Sequence, residues 1–463
     1  MEHAGDGPAA ALPGATAGPA QVADAHRGGS RSYNGGMDDL FSAGHARALD
    51  AADPLPSLRG EFLVPRHGDG EQAYFCGNSL GLQPRGVRAQ VDQVLEKWAT
   101  EAVEGHFTAP AQWMTYHELV RDPLAAVVGA QPVEVVAMNS LTANLHLMLA
   151  SFYRPGDGRD AILVEAGSFP SDRHAVESQL ALHGVSPAQA LVEVEPDEPG
   201  GTVSMAAIGR AIGEHGPRLA LVLWPGVQYR TGQAFDLAEI TRMAHAAGAV
   251  AGFDLAHSVG NLPLALHDSG ADFAVWCHYK YMNAGPGAVA GCFVHERHAH
   301  GGRPRLAGWW GHDPATRFRM EPGFVPAPGA EGWQLSNPPI LALAPLRASL
   351  ELFSRTGMEA LREKSRRLTG YLQALIDARL ADTLQVITPR DAAQRGCQLS
   401  LRVAGGRDRG RALFEHLCRQ GVLGDWREPD VLRISPAPLY NTHADVLRFA
   451  TAVRHWRDDP ARS

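Results

Sequence analysis

Beyond residue 36 the chain alternates two patterns of apolar positions. Between residues 84 and 104, Val87, Val91, Val94, Leu95, Trp98 and Ala102 recur at helical spacing, the mark of an amphipathic helix. Leu145, Met148, Leu149 and Phe152 repeat that spacing. Short, continuous apolar runs stand between such stretches, at 133–138, 161–165, 191–194, 219–224, 249–254, 272–277 and 288–294. Runs of this length predict strands buried on both faces. Strand-like and helical segments in alternation predict an α/β body with a mostly parallel central sheet flanked by helices. A Pro/Gly-rich stretch at 321–332 interrupts the pattern and reads as a connection between bodies. Helical periodicity then runs from 340 to 380. Short strands (398–403, 431–435) and helices (409–420, 445–454) follow, which predicts a smaller α+β C-terminal domain. The division expected is a disordered tail at 1–36, an N-terminal segment at 37–75 associated with the small domain, a large domain at 76–325 and the small domain at 326–463.

The tail is rich in Gly, Ala and Pro and has too few large apolar residues to order itself. It has no apolar core of a secretory signal. Met37, followed by a periodic segment at 40–49, is an alternative start. A net charge of -8 argues against a nucleic-acid binder, and no apolar run is long enough to span a membrane. Five scattered cysteines without CxxC spacing read as free thiols in a reducing cytoplasm.

Of 42 basic residues only Lys97, Lys280 and Lys364 are lysine. Arginine stays charged, whereas a buried lysine can lose its proton and act as a nucleophile. Lys97 (LEKWATE) and Lys364 (REKSRR) read as surface charges on solvated helix faces. Lys280 closes the aromatic strand DFAVWCHYK and is followed by small residues; it reads either as a reactive amine or as a lysine reaching out to water. Asp254 ends the apolar strand AVAGFD, with His257 three positions on. An acid and a lysine at neighbouring strand ends both face the crevice at the carboxyl edge of a parallel sheet. Pyridoxal phosphate (PLP) chemistry needs that pair: the amine forms an imine with the cofactor aldehyde, and the carboxylate keeps a proton on the pyridine nitrogen. Asp254 alone reads equally well as a helix cap. In VVAMNSLTANLH a strand passes into a helix through Asn139, Ser140, Leu141 and Thr142, where free N–H groups make an anion site or the hydroxyls merely cap the helix. Phe169, Pro170, Ser171 and Asp172 occupy the next strand-end loop, where the aromatic either stacks on a flat ring or packs on the core edge.

With these segments in hand, the region from Tyr74 to about Tyr440 resembles the kynureninases, fold-type-I PLP enzymes related to the class V aminotransferases. The segments that carry the resemblance are YFCGNSLGLQP, NSLTANLHLM, FPSD, GFDLAHSVGN, CHYKYMNAGPG, HERHAH, GWWGH, SNPPIL and RISPAPLYN. It implies that Leu141, Thr142 and Tyr279 meet the PLP phosphate, that Phe169 stacks on the ring, and that Asp172, Asp254 and His257 surround its pyridine side. Lys280 is then the imine-forming residue. Trp309 and Asn337 are implied to reach the cofactor from a partner subunit of a homodimer, and Arg433 to clamp the substrate α-carboxylate, for which its fork is suited. Tyr279 is implied as a proton donor, as a phosphate ligand, or as both. Pro225 stands where animal members carry serine, so a phosphate hydrogen bond is lost there or passes to backbone.

The implied reaction is hydrolysis of L-kynurenine, or its 3-hydroxy derivative, to the corresponding anthranilate and L-alanine, in tryptophan breakdown or the making of NAD precursors. His106, Ser336 and Asn337 are expected at the aryl end of the pocket, where a bond to a ring hydroxyl would favour the 3-hydroxy substrate. HERHAH sets histidines at i, i+3 and i+5, not at zincin spacing, and reads as a surface turn with no metal. Two other readings stay open. Sulfur removal from cysteine would want a reactive thiol on a flexible loop, and Cys397 and Cys418 lie in strand- and helix-like contexts. A non-enzymatic PLP-fold subunit would be expected to lack Lys280, Asp254 or Arg433, and all three are present.

Overall fold

The computed structural model describes residues 37–300 and 302–459; the tail at 1–36 lies outside them. Seven strands build the central sheet: β1 (Val135–Ala137), β2 (Ala161–Glu165), β3 (Leu191–Val194), β4 (Leu219–Pro225), β5 (Val250–Asp254), β6 (Phe273–Cys277) and β7 (Ala290–Val294). Their spatial order is β1-β7-β6-β5-β4-β2-β3. Strand β7 runs against both its neighbours, and the other pairings are parallel. The continuous apolar runs have a simple cause. Val222, Trp224, Phe253, Ala274 and Trp276 face one core, whereas the alternating positions Leu221, Leu223, Phe273 and Val275 face a second. A strand covered on both faces gains about 1.5–3 kcal/mol from each large side chain it buries, so polar residues have no place until the strand ends.

Among the flanking helices α1 (Gly86–Glu101), α2 (Glu118–Val128), α3 (Leu141–Phe152), α4 (Pro170–Leu182) and α5 (Ile340–Thr356), α3 and α4 cover the second face. Helices α1, α2 and α5 cover the first. The small body is an antiparallel sheet of β8 (Leu384–Val386), β9 (Leu399–Val403), β10 (Asp425–Arg427) and β11 (Val431–Ile434), in the order β8-β9-β11-β10. It packs with α6 (Met358–Arg379), α7 (Arg407–Arg419) and α8 (His443–Arg457). Leu40, Ala46, Ala73 and Phe75 enter that same core, and Ala73–Tyr74 pairs in parallel with Val422–Leu423.

Four expectations change. The helical span 340–380 breaks at Gly357, whose φ of +75° suits glycine. The buried residues Leu343, Leu346, Leu350 and Phe353 of α5 join the large body's core, so by packing α5 goes with that body although it lies beyond residue 326. Neither of the other two lysines is a free surface charge. Lys364 is buried, 3.9 Å from Asp53, and ties α6 to the N-terminal segment. Lys97 Nζ donates to the carbonyls of Thr108 (2.6 Å) and Pro110 (3.0 Å). HERHAH is no surface turn either: His295 and His298 are buried, with His298 Nε2 bonded to Asp272 Oδ1 at 2.8 Å and His295 Nδ1 accepting the Arg297 N–H at 3.2 Å.

Candidate active site

The carboxyl ends of β2, β4 and β5 present Glu165, Pro225 and Asp254 to one cavity. Lys280, three residues beyond β6, enters it from the side. Strand β1 reaches it through Asn139, held at φ +48°, a conformation that asparagine tolerates better than most residues. That turn aims the first turn of α3 at the cavity. Its N–H groups lack helical partners, and Thr142 Oγ1 lies 2.8 Å from Ser171 Oγ at the start of α4. Backbone donors and paired hydroxyls at two helix starts form a cradle for a phosphate.

Phe169 lines the cavity, its ring centroid 6.0 Å from Lys280 Nζ, with Tyr229 set edge-on against it at 5.3 Å. Asp254 Oδ1 accepts the Ala256 N–H at 2.7 Å. Burial raises the pKa of both Asp172 and Asp254. The charge of Asp254 and a shared hydrogen bond push Asp172 further up, whereas the Ala256 N–H and the charge of Lys280 oppose the rise at Asp254. The upward push is therefore the stronger at Asp172. Burial, then the positive charges of Lys280, Arg433 and Arg427, hold His257 well below its usual range. Burial also pushes Glu165 up to about 8, against a hydrogen bond with Gln228. The Tyr279 phenol is raised by burial and by Cys277 and Asp254 nearby, so it stays protonated.

Among the described residues, Asp172 Oδ1, His257 Nδ1 and Glu165 Oε2 are buried without a hydrogen-bond partner, and all three residues line this cavity. Buried polar atoms are normally paired, so three orphans around one space point to a polar ligand. The donor set fits PLP: an anion cradle at Leu141 and Thr142, a flat aromatic cover, a carboxylate for a protonated ring nitrogen, and an amine for an aldehyde.

The expected cofactor residues Leu141, Thr142, Phe169, Ser171, Asp172, Asp254, His257, Tyr279 and Lys280 line the cavity together, and Pro170 opens α4 between them. Pro225 also lines it and, lacking an N–H and a hydroxyl, offers no donor. His106, Trp309, Ser336 and Asn337 do not line it. His106 Nδ1 bonds the Val103 carbonyl at 3.0 Å, Trp309 is 42% exposed, and Ser336 and Asn337 are exposed. Arg433 does not line the cavity either: it is fully buried, and its Nη1 donates to the carbonyl of Tyr229, which does line it, at 2.8 Å. Glu165, Ser168 and Tyr229 also line the site and were not foreseen. Glu165 had a legible signal, an acid closing an apolar strand as Asp254 does. Gly81 is a second omission: its N–H donates to the Tyr279 carbonyl at 2.8 Å, and a Cβ there would collide with the Lys280 carbonyl. The SLGLQP loop thus holds the backbone at Tyr279 and Lys280.

Residues 361–453 match the family described as the kynureninase C-terminal domain. The chain is 71% identical over 420 residues to a kynureninase of Xanthomonas euvesicatoria pv. vesicatoria (strain 85-10), covering 91% of this chain and 99% of that protein. It is 70% identical, with the same coverage, to one of Xanthomonas axonopodis pv. citri (strain 306). Among solved structures it resembles the cysteine desulfurase of Thermococcus onnurineus NA1 (TM-score 0.68, 18% identity, 83% of this chain and 94% of that one). It also resembles a C-DES mutant with glycine covalently linked to its PLP cofactor (TM-score 0.71, 19% identity, 85% and 98%). These likenesses show the fold, that of the fold-type-I PLP-dependent enzymes.

Proposed function

Because the chain belongs to the kynureninase family, we propose that this cavity binds PLP through Lys280 and hydrolyses L-kynurenine, or 3-hydroxy-L-kynurenine, to anthranilate, or 3-hydroxyanthranilate, and L-alanine. The reaction belongs to tryptophan catabolism. The observation that carries the site assignment is the convergence of Lys280, Asp254 and the unpartnered oxygen of Asp172 on one cavity.

When bound, PLP supplies an electron sink joined to the substrate's amino nitrogen. Asp254 holds a proton on the ring nitrogen, and Asp172 and His257 fix the ring beside it. Phe169 covers the ring face and excludes water. Lys280 Nζ, once released, takes the Cα proton and returns it to Cα before the amino acid leaves. Tyr279 Oη keeps its proton in the resting site and delivers it to Cβ as the Cβ–Cγ bond breaks; the water's hydroxyl ends on the aryl acid and its proton restores Tyr279. Arg433 takes the substrate's α-carboxylate.

The sulfur-removal reading lacks a thiol in the cavity, which no cysteine lines. Cys76, Cys277, Cys292 and Cys397 are buried, and burial pushes Cys76 and Cys397 up to about 12, far from the thiolate such chemistry uses. Cys418 is partly exposed, but it stands on α7, not on a loop, and burial raises its pKa too. Unpaired buried thiols also suit a cytoplasmic protein. No helix among the described residues is long and apolar enough to cross a membrane. The site is completed by a second copy of the chain. Trp309, Phe318, Met320 and Phe324 expose an apolar surface of the kind that marks an interface. Docking it on a second copy brings Trp309 and Asn337 to the neighbouring cofactor, and His106, Ser336 and Asn337 to the aryl end of the substrate.

Absorbance and fluorescence test this function. Purified protein is expected to show an imine band that borohydride abolishes and to release fluorescent anthranilate from kynurenine. Lys280→Ala should lose at least about 10⁴-fold in turnover; undiminished release from that variant would refute the assignment.

A further inference from the structure

The guanidinium of Arg433 is already engaged. Its Nη2 donates to Asp425 Oδ2 at 2.6 Å and to Ser79 Oγ at 3.0 Å, and its Nη1 donates to the Tyr229 carbonyl. Asp425 stands directly opposite Arg433 in the register of β10 and β11. Two residues along β10, Arg427 reaches the same carboxylate from the solvent side, with Nε 3.2 Å from Oδ1 and Nη2 3.3 Å from Oδ2. The Arg433 side chain is 1% exposed, Asp425 11% and Arg427 38%. Two guanidiniums share one carboxylate, so the cluster holds one positive charge in excess. A buried cation without full compensation is costly, and a second carboxylate would remove that cost. The excess charge is felt at the cavity wall, where both arginines help depress His257.

We propose that Asp425 is a resident stand-in for the substrate's carboxylate. It occupies the Arg433 fork in the empty site and passes wholly to Arg427 when the substrate's α-carboxylate arrives. The transfer needs side-chain rotation alone, because Arg427 already contacts both oxygens. Ser79, whose hydroxyl touches Asp425, Arg427 and Arg433, stays in place as the shared hinge. Arg433 is never left unpaired, so it keeps its orientation between turnovers. A ligand without a carboxylate cannot drive the exchange, which makes Asp425 a positioning residue for selectivity.

This proposal rests on Arg433 as the carboxylate clamp, and the two are separable. Holoenzyme variants are assayed for kynurenine KM and kcat and for binding of the decarboxylated amine, which keeps the aryl ketone and the amino group. Asp425→Asn removes the competing state, so KM for kynurenine should fall by about 3- to 10-fold, while affinity for the decarboxylated amine does not tighten. A purely structural role could not lower KM. Arg427→Met, at a partly exposed position, leaves Asp425 nowhere to go and should raise KM. Arg433→Lys examines the clamp itself, and an unchanged kynurenine KM there overturns the clamp and the exchange with it. If Arg433→Lys raises KM but Asp425→Asn also raises it or leaves it unchanged, Asp425 merely braces Arg433 and the exchange is wrong. Should Asp425→Asn fail to fold, Arg427→Met decides: an unchanged KM there overturns the exchange.

Discussion

The two edges of the central sheet both bury acids among histidines, and they treat them in opposite ways. At the amino edge, Asp272 Oδ2 accepts from His245 Nε2 and the Ala251 N–H, both at 2.8 Å, and Oδ1 accepts from His298 Nε2 at 2.8 Å. Burial alone would raise the Asp272 pKa, but these bonds outweigh it and hold the carboxyl well below its usual range. Glu134, also fully buried, accepts from the Gln131 N–H (2.9 Å), the Glu296 N–H (2.9 Å) and His267 Nδ1 (3.0 Å). Ligand atoms of Glu134, His267 and His295 lie within 4.8 Å of one another. Spacing alone would suit a cation, yet the carboxylate is already committed to backbone and imidazole protons. At the carboxyl edge, Asp172, His257 and Glu165 each bury an atom with no partner. Buried acid and histidine are thus no signal of function by themselves. Burial without satisfaction, gathered around one cavity, is: an unpaired buried group costs about 1–3 kcal/mol, and three such atoms belong to residues that line the same space.

Neutralising one acid at each edge separates the two roles. Asp254→Asn should lower kcat by about 10³–10⁴-fold, since the ring nitrogen loses its proton partner and general acid–base steps of that size depend on it. Its urea midpoint should stay near that of the parent, as steady-state kinetics and denaturation together would reveal. Asp272→Ala should do the reverse. Removing one partner of a buried ion pair costs about 3–5 kcal/mol, so the midpoint drops while turnover per folded molecule holds within about twofold. A catalytic loss at Asp272 with unchanged stability would reverse the assignment of the two edges. The pH dependence follows from the direction of the shift. The folded pKa of Asp272 is depressed, so its stabilisation is present above the unfolded value of about 3.9 and is lost as pH falls toward the folded value.

The strands and the cofactor edge were legible because they obey local rules. Each apolar run had to end where the sheet ends, and Asp254 and Lys280 stand at those ends. What stayed hidden is what depends on partners far along the chain. Lys364 looks solvated in REKSRR, yet the N-terminal segment covers it and supplies Asp53. The HERHAH histidines look exposed until Glu134 and Asp272 are folded beneath them. Helix α5 looks continuous with α6, but its apolar stripe matches α1 and α2 of the large body. Arg433 was expected from the resemblance to clamp a carboxylate, whereas its pairing with Asp425 depends on the register of two short strands that no spacing reveals. Trp309 and Asn337 are the reverse case: the resemblance implies that they reach the cofactor from a partner subunit, and within this chain they lie away from the cavity, as do His106 and Ser336.

Glu165 offers the finest contrast between the edges, because it titrates in the opposite sense to Asp272. Its folded pKa, about 8, lies above the unfolded value of about 4.3. Between those values the native state holds a proton that the unfolded chain has released, so stability falls as pH rises through that window. Glu165→Gln cannot titrate and keeps a donor of similar shape. The holoenzyme of that variant should therefore lose less stability than the parent between pH 5 and 8. By pH 8 the gain should be of the order of 1–3 kcal/mol, the usual cost of a poorly satisfied buried group. Urea midpoints measured across that range decide it. Parallel slopes for parent and variant would mean that the Glu165 carboxylate is already ionised and paired in the loaded site. The line between a satisfied amino edge and an unsatisfied carboxyl edge would then pass through Asp172 and His257 alone.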